Sequence, residues 1–397
     1  MKNLVEKAVI LSAVRTPIGK YGGAFKETGA VTLGVAASVE AMRKAGVSPD
    51  QIDEVIFGMA RQAGNRPNPA RQVLYRSGIP IDRPAFTVNK ACASGMKAIT
   101  LGCQSLLLGE NKIVLAGGME NMSQIPYLLD GARWGYRLGD GVLIDAMYRD
   151  GLFCPLAEMI MGETVDLLAE KFGISRREQD EYALESQMKA KRAAEKGNFK
   201  DEIVPVAVRG KAGRESVISD DEHPRPETTL ENLATLQPAF RKGGSVTAGN
   251  SSGLTDGAAA MVLTTQSEAQ KLGARPLAEI LGVATAGVDP KEMGLGPVPA
   301  TRKILKALDL SLGDFDLIEI NEAFAAQVLA CERELKWDSA KRNIKGGAIA
   351  LGHPVGCTGA RITVTLLYNL IQENKELGLA TLCVSGGQGM SLVLKRL

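Results

Sequence analysis

Strand-length apolar runs alternate along the chain with longer segments of helical period, and polar or glycine-rich breaks separate them. "AVILSAV" (Ala8–Val14) is apolar enough to predict a buried strand. "GVSPDQIDEVIFG" (Gly46–Gly58) is a polar turn leading into a second such run, and a similar passage, "DLSLGDFDLIEIN", occupies Asp309–Asn321 with Asp316 in the place of Asp53. A longer unit also occurs twice. "SGMKAITLGCQSLLLGENKIVLAGG" (Ser94–Gly118) and "TGARITVTLLYNLIQENKELGLATLCVSGG" (Thr358–Gly387) each predict a helix opened by small residues, a polar break, and a strand closed by Gly-Gly. Both pairs stand at nearly one offset. This predicts a duplicated α/β unit, each half with a mostly parallel sheet and right-handed crossovers.

The stretch between the halves, Asn121–Ser252, is more polar and less regular. It contains one well-marked helix, Ser175–Gly197, opened by a Ser175/Glu178 capping box and stopped by Gly197. "GKAGRESVISDDEHPRPETT" (Gly210–Thr229) predicts a surface loop. The stretch reads as an insertion of the kind that carries substrate-gripping loops. The expected division is residues 1–121 with 253–274 as one half, 122–252 as the inserted loop domain, and 275–397 as the other half.

Composition narrows the function. The 397 residues are 45% hydrophobic and 23% charged, with 44 glycines and a net charge of +2. No basic stripe with interleaved aromatics points to nucleic acid, and no apolar run reaches membrane-spanning length. Glu6 and Lys7 interrupt any signal-peptide pattern, so a cytoplasmic protein is expected. The six cysteines form no C-x-x-C pair and the two histidines no ligand cluster. Free thiols are therefore expected, with no metal site.

Four short segments carry the candidate chemistry. Cys92, in "NKACASGMKA", sits between a strand end and a helix start, where free N–H groups and the helix dipole are expected to lower a thiol pKa. Its small neighbours leave room for substrate. His353, in "GGAIALGHPVGCTGAR", has glycine-rich flanks and is the natural base for a thiol. Cys383, in "LCVSGGQGM", closes a strand before backbone N–H groups suited to an oxyanion hole. Asn321, in "EINEAFAAQ", ends a strand at Glu322, which is expected to begin a helix; the Asn reads either as an N-cap or as a water-orienting group. All four fall at strand ends, where α/β folds place their sites. His223, in "DDEHPRP", is expected to be solvated.

Together these segments, with "SVTAGNSSGLTDGAAA", "AGGMENMS" and "VRTPIGKYGG", resemble the thiolases over essentially the whole chain and in the same order. The resemblance implies a five-layered αβαβα core of two similar halves with an inserted loop domain, and a homodimer or homotetramer. It implies acyl transfer between coenzyme A thioesters, with acyl-CoA and CoA as substrates and no separate cofactor. Cys92 would be the acylated nucleophile, His353 its proton acceptor, and Cys383 the acid/base at the acetyl α-carbon. Asn321 would position a water beside His353 in one oxyanion hole. The N–H groups of Cys92 and Ser385 would form the other. Ser252 would lie along the pantetheine arm, Arg225 near the nucleotide end, and Met161 and Met293 at the acyl end.

Three positions depart from the family pattern. Ser385 stands where many thiolases have glycine, Lys345 where asparagine is common, and Ile160 where many acetoacetyl-forming thiolases carry histidine. Ile160 and "HPRPETTLENLATLQPAF" lean toward a longer-chain degradative 3-ketoacyl-CoA thiolase, while "RDGLFCPLAEM" leans toward an acetyl-CoA C-acetyltransferase, which is slightly favoured. A decarboxylating ketoacyl synthase would need a second active-site histidine or asparagine partner in place of Cys383. A non-catalytic lipid- or CoA-binding relative would be expected to lack Cys92, His353 or Cys383. A nicotinamide-dependent dehydrogenase would need a G-x-G-x-x-G after the first strand.

Overall fold

The computed structural model describes residues 6–209 and 215–397. The first half runs β1 (Ala8–Arg15), α1 (Ala30–Ala45), β2 (Glu54–Gly58), α2 (Pro69–Arg76), β3 (Ala85–Val88), α3 (Ser94–Leu107) and β4 (Ile113–Asn121). The chain then leaves the core for α4 (Met161–Phe172) and α5 (Arg176–Glu195), and returns as β5 (Thr255–Thr265), antiparallel to β4. The second half repeats the order with β6 (Ala278–Gly287), α6 (Pro297–Leu308), β7 (Leu317–Ile320), α7 (Ala325–Leu335), α8 (Val355–Gln372), β8 (Leu377–Val384) and β9 (Gln388–Arg396).

Hydrogen bonding joins the strands in the order β3-β2-β4-β5-β1-β6-β9-β8-β7. The outer strands β3-β2-β4 and β8-β7 pair in parallel and those nearer the middle antiparallel, so neither half is the mostly parallel sheet expected. The halves meet where β1 pairs β6 through Val9–Glu279 and Ile10–Ala278. The counterpart of β3 in the second half is reduced to one parallel bridge, Ile318–Arg342.

The repeat is visible in single hydrogen bonds. Asp53 accepts from the N–H groups of Lys112 and Ile113 at 2.8 and 2.9 Å. Asp316 accepts from Glu376 and Leu377 at 3.0 and 2.9 Å. Each carboxylate thus pins the start of the following parallel strand, which is why the polar turn before the apolar run recurs.

Helices α1 and α2 cover one outer face and α6 and α7 the other, while α3 and α8 pack together between the sheets. The result is the five-layered αβαβα arrangement. Every residue of α8 from Val355 to Leu370 is buried, polar ones included. A helix enclosed on all sides shows no polar stripe. Its contact with α3 is backbone to backbone: a Cβ on Gly95 would fall 2.8 Å from the Ala360 nitrogen, and one on Gly359 would fall 2.6 Å from that of Met96.

The helix expected at Ser175–Gly197 spans Arg176–Glu195, with Ser175 as N-cap and both capping-box bonds to Glu178. The stretch expected as a surface loop is irregular and at the surface over residues 219–229, but its described part opens with a strand. Glu215–Ile218 pairs antiparallel with Val206–Arg209, and residues 210–214 lie outside the described residues. Beyond the hairpin, Asp221 reaches into the core, where buried Arg15 bonds it at 2.7 and 2.8 Å and Glu202 at 2.6 Å. An acidic run is compatible with burial when an arginine on a core strand awaits it.

Replacing Gly359 by alanine is expected to lower the urea midpoint by the equivalent of about 1–3 kcal/mol, the usual cost of overpacking. Gly313→Ala, whose Cβ would find only Ser311 Oγ at 3.6 Å, is expected to leave the midpoint within error.

Candidate active site

The turn that presents Cys92 is built from side chain to backbone bonds. Ser94 Oγ accepts from the Lys90 N–H at 2.9 Å and donates to the Ala91 carbonyl at 2.6 Å. Asn89 Oδ1 accepts from the Ala91 N–H, and its Nδ2 donates to Ala60. Between these ties Ala91 is held at φ +45°, a left-handed conformation that costs a residue with a Cβ about 1 kcal/mol or more. The chain thereby reverses sharply at the end of β3 and places Cys92 just before α3.

On the other side, His353 follows the short helix Ala348–Leu351 and precedes α8. Glu120, at the end of β4, fixes this approach. Its buried carboxylate accepts from the N–H groups of Ala60, Arg61 and Gly356 at 3.0, 3.2 and 2.8 Å. One side chain thus holds the exit of β2 against the first turn of α8.

Cys92, His353, Cys383 and Ser385 line a single cavity of about 340 Å³, together with Ser252, Arg225, Met161 and Met293. Asn321 is not on its wall. It lies fully buried at the end of β7, and neither atom of its carboxamide has a hydrogen-bond partner among the described residues. Ile160 lines the cavity beside Met161, as do Phe240 and Phe324, whose rings meet edge to face. That part of the cavity is accordingly apolar.

Electrostatics corrects the expectation for Cys92. Burial pushes its thiol above the ordinary value, outweighing Arg61 and the Ser385 N–H, which pull it down. Helix α3 begins two residues later, and desolvation is the largest influence on the thiol. Cys383 is raised well above the ordinary value by burial, and further by the neighbouring Cys92 and Cys331. His353 is pushed down to about 3 by burial, then by the guanidinium groups of Arg361 and Arg61. At neutral pH the site therefore holds two thiols and a neutral imidazole. Arg361 is itself enclosed on α8, and none of its three side-chain nitrogens has a partner among the described residues.

Other local expectations also change. Glu322 does not begin a helix, and Asn321 is not an N-cap: α7 starts at Ala325. Glu322 is instead a buried acceptor for Tyr182, Ser186, Asn343 and the Ile349 N–H, joining α5 to the second half. His223 is not solvated. Its Nδ1 lies 2.8 Å from the Ala350 carbonyl, and the ring lines the same cavity as Cys92. Ser385 carries no strain, because the positive φ values fall on Gly386 and Gly387, both +82°. Lys345 is buried: its ammonium reaches the Asn198 carbonyl and Gln372 and lies 6.0 Å from the Phe199 ring centre.

Residues 8–267 match the thiolase N-terminal domain, and residues 274–396 match the thiolase C-terminal domain. The chain belongs to the thiolase family. It is 51% identical over 394 residues to an acetyl-CoA acetyltransferase of Escherichia coli, covering 99% of this chain and all of the relative. The crystal structure of the Bacillus anthracis acetyl-CoA acetyltransferase superposes with a TM-score of 0.97 at 48% identity, covering all of both chains. Human mitochondrial 3-ketoacyl-CoA thiolase, solved in complex with CoA, superposes at 0.95 with 42% identity and 99% of each chain covered.

Several residues on this thiolase's cavity wall escaped the reading of the sequence, Arg61, Phe240 and His223 among them. Arg61 stands in "MARQAGNRP", where nothing marks it as near a thiol. Phe240 and His223 lie in the insertion, and only the fold carries them back to β-strand ends. His223 could have been suspected from its place beside Arg225.

Because burial holds Cys92 as a thiol, its alkylation by iodoacetamide is expected to accelerate with pH to beyond pH 9. A plateau below pH 8, read by mass spectrometry of the Cys92 peptide, would mean that the thiolate is already stabilised in the free protein.

Proposed function

We propose that this thiolase joins and cleaves acyl groups on coenzyme A through an acyl-Cys92 intermediate, as an acetyl-CoA C-acetyltransferase. The convergence of two thiols and one neutral imidazole on one cavity carries this reading. In cleavage, His353 takes the Cys92 proton and the sulfur attacks the 3-keto carbon. The bond between C2 and C3 breaks, leaving the acyl group on Cys92 and an acetyl-CoA enolate. Cys383, held as a thiol, gives its proton to the enolate carbon. His353 passes the Cys92 proton on to the Cys383 thiolate and takes the proton of a second CoA thiol; that sulfur attacks the acyl-enzyme, and Cys92 departs with the proton returned by His353. Condensation runs the same steps backward, with Cys383 as base.

The N–H groups of Cys92 and Ser385 receive one developing oxyanion. The Ser385 N–H is among the groups that pull the Cys92 thiol down, which supports that role. Asn321 holds a water beside His353 for the other, supported by its buried carboxamide with both atoms free to bond it. Ser252 and Arg225 take the pantetheine and nucleotide parts of CoA, and Met161 and Met293 the acyl group. These steps call for no further cofactor. The division at 1–121 with 253–274, 122–252 and 275–397 belongs to the same reading, supported by the return of β5 beside β4. Six buried, unpaired thiols suit a reducing, cytoplasmic setting.

A longer-chain 3-ketoacyl-CoA thiolase is the second reading, supported by Ile160 and the apolar wall it shares with Phe240 and Phe324. Thiolysis of acetoacetyl-CoA beside a medium-chain 3-ketoacyl-CoA separates the two. A clear preference for acetoacetyl-CoA is expected; equal or faster cleavage of the longer substrate would install the second reading. Cys92→Ala is expected to lose at least about 10³-fold in kcat, as removal of a covalent nucleophile does. Unimpaired turnover by that variant would end the proposal.

The homodimer or homotetramer is supported by the hairpin of Tyr127–Leu129 and Leu143–Asp145. Trp134 and Leu138 stand 88% and 98% exposed there, beside Val142 and Leu143. Such a patch marks an interaction site. Light scattering is expected to give two or four chains per particle, and fewer in Trp134→Ser/Leu138→Ser; a monomeric wild type would overturn this.

A further inference from the structure

His353 has a partner for its other ring nitrogen. Nδ1 lies 2.6 Å from Thr358 Oγ1, and both side chains are buried. Thr358 stands in the first turn of α8, and its hydroxyl also lies 2.9 Å from the Pro354 carbonyl four residues back. A threonine hydroxyl has one proton to give and lone pairs to receive. In a helix that proton goes to the carbonyl of residue i−4. The oxygen then faces the imidazole as an acceptor.

We infer that Thr358 is a positioning residue that accepts the Nδ1–H of His353, so that Nε2 is the unprotonated nitrogen left for the Cys92 proton. The opposite arrangement, with the hydroxyl donating to Nδ1, would place the ring proton on Nε2 and disable the base. The inference rests on the reading of His353 as that base. It also gives the hydroxyl a purpose that a carboxylate would not serve. Once His353 has taken the proton, both ring nitrogens are donors, and Thr358 still accepts from Nδ1. A carboxylate in that place would add a negative charge and make the imidazolium reluctant to give the proton up. A neutral acceptor orients the ring and leaves the proton easily returned to a departing CoA sulfur.

The chain has only two histidines, which makes a direct measurement practical. Two-bond ¹H–¹⁵N correlation on histidine-labelled protein at pH 7, with His223→Gln for assignment, reads which ring nitrogen carries the proton. A protonated Nδ1 and bare Nε2 on His353 are expected; the reverse tautomer overturns the inference, whatever the activity. Kinetics supplies the second arm. Thr358→Val keeps the shape and loses the acceptor. It is expected to lower kcat of thiolysis by about 10–100-fold, the usual effect of removing a histidine's orienting partner, with KM little changed. Its histidine spectrum is expected to show a mixture of tautomers. Thr358→Ser is expected to stay within about threefold of wild type. Full kcat and an unmixed tautomer in a folded Thr358→Val protein would also overturn the inference. If the valine variant fails to fold, the wild-type spectrum still decides. A wild type with the expected tautomer but no thiolysis would instead fault the function proposed above.

Discussion

The backbone contact between α3 and α8 is the constraint on which the site depends. Helix α3 follows the end of β3 and α8 follows the short helix Ala348–Leu351, and each has a candidate reactive group just before its first turn: Cys92 ahead of α3, His353 ahead of α8. Glycines at 95 and 359 let the two axes approach until only backbone separates them. That approach converts two residues far apart in sequence into neighbours on one cavity wall. Any side chain in the contact would part the helices, and the distance between sulfur and imidazole would grow with it.

Buried carboxylates hold the parts around this contact in register. Glu120 collects three N–H donors from the β2 exit and the α8 start, and burial pushes it up to about 7 all the same. Glu322 gathers Tyr182 and Ser186 of the insertion with Asn343 and Ile349 of the second half. Arg15 ties β1 to Glu202 and Asp221. A buried charge is costly unless well paired, and removal of one partner leaves the other stranded. The value of such groups lies in specificity: each has few geometries in which all its bonds are made. They suit the task of fixing an insertion over a reactive cavity.

The same burial sets the chemistry. Water solvates thiolates and imidazolium and so makes them easier to form; the enclosed cavity disfavours the charged forms of all three groups. At rest Cys92, His353 and Cys383 carry no charge, although the guanidinium groups of Arg61 and Arg361 stand near them. On the proposed mechanism, charge develops only when a proton moves from sulfur to nitrogen, beside the N–H groups assigned to the oxyanion. Such preorganisation is the strongest lever an enclosed site has.

Most of the architecture was legible in the chain because it is repetitive. Asp53 and Asp316, the Gly-Gly strand ends and the two small-residue helix starts are local patterns, and local patterns survive without knowledge of the fold. The motif residues Cys92, His353 and Cys383 were legible for the same reason, as was the Ser175 cap. The sequence by itself thus determined the duplicated αβ order and the reactive groups available. Tertiary structure alone decided their state and company. It made Glu322 a hub instead of a helix start, because its partners come from segments more than a hundred residues apart. It enclosed His223 and brought Arg61 and Arg361 to His353. It raised the Cys92 thiol where the helix end argued for lowering it, because desolvation depends on everything packed around a group and no neighbour in sequence reports that.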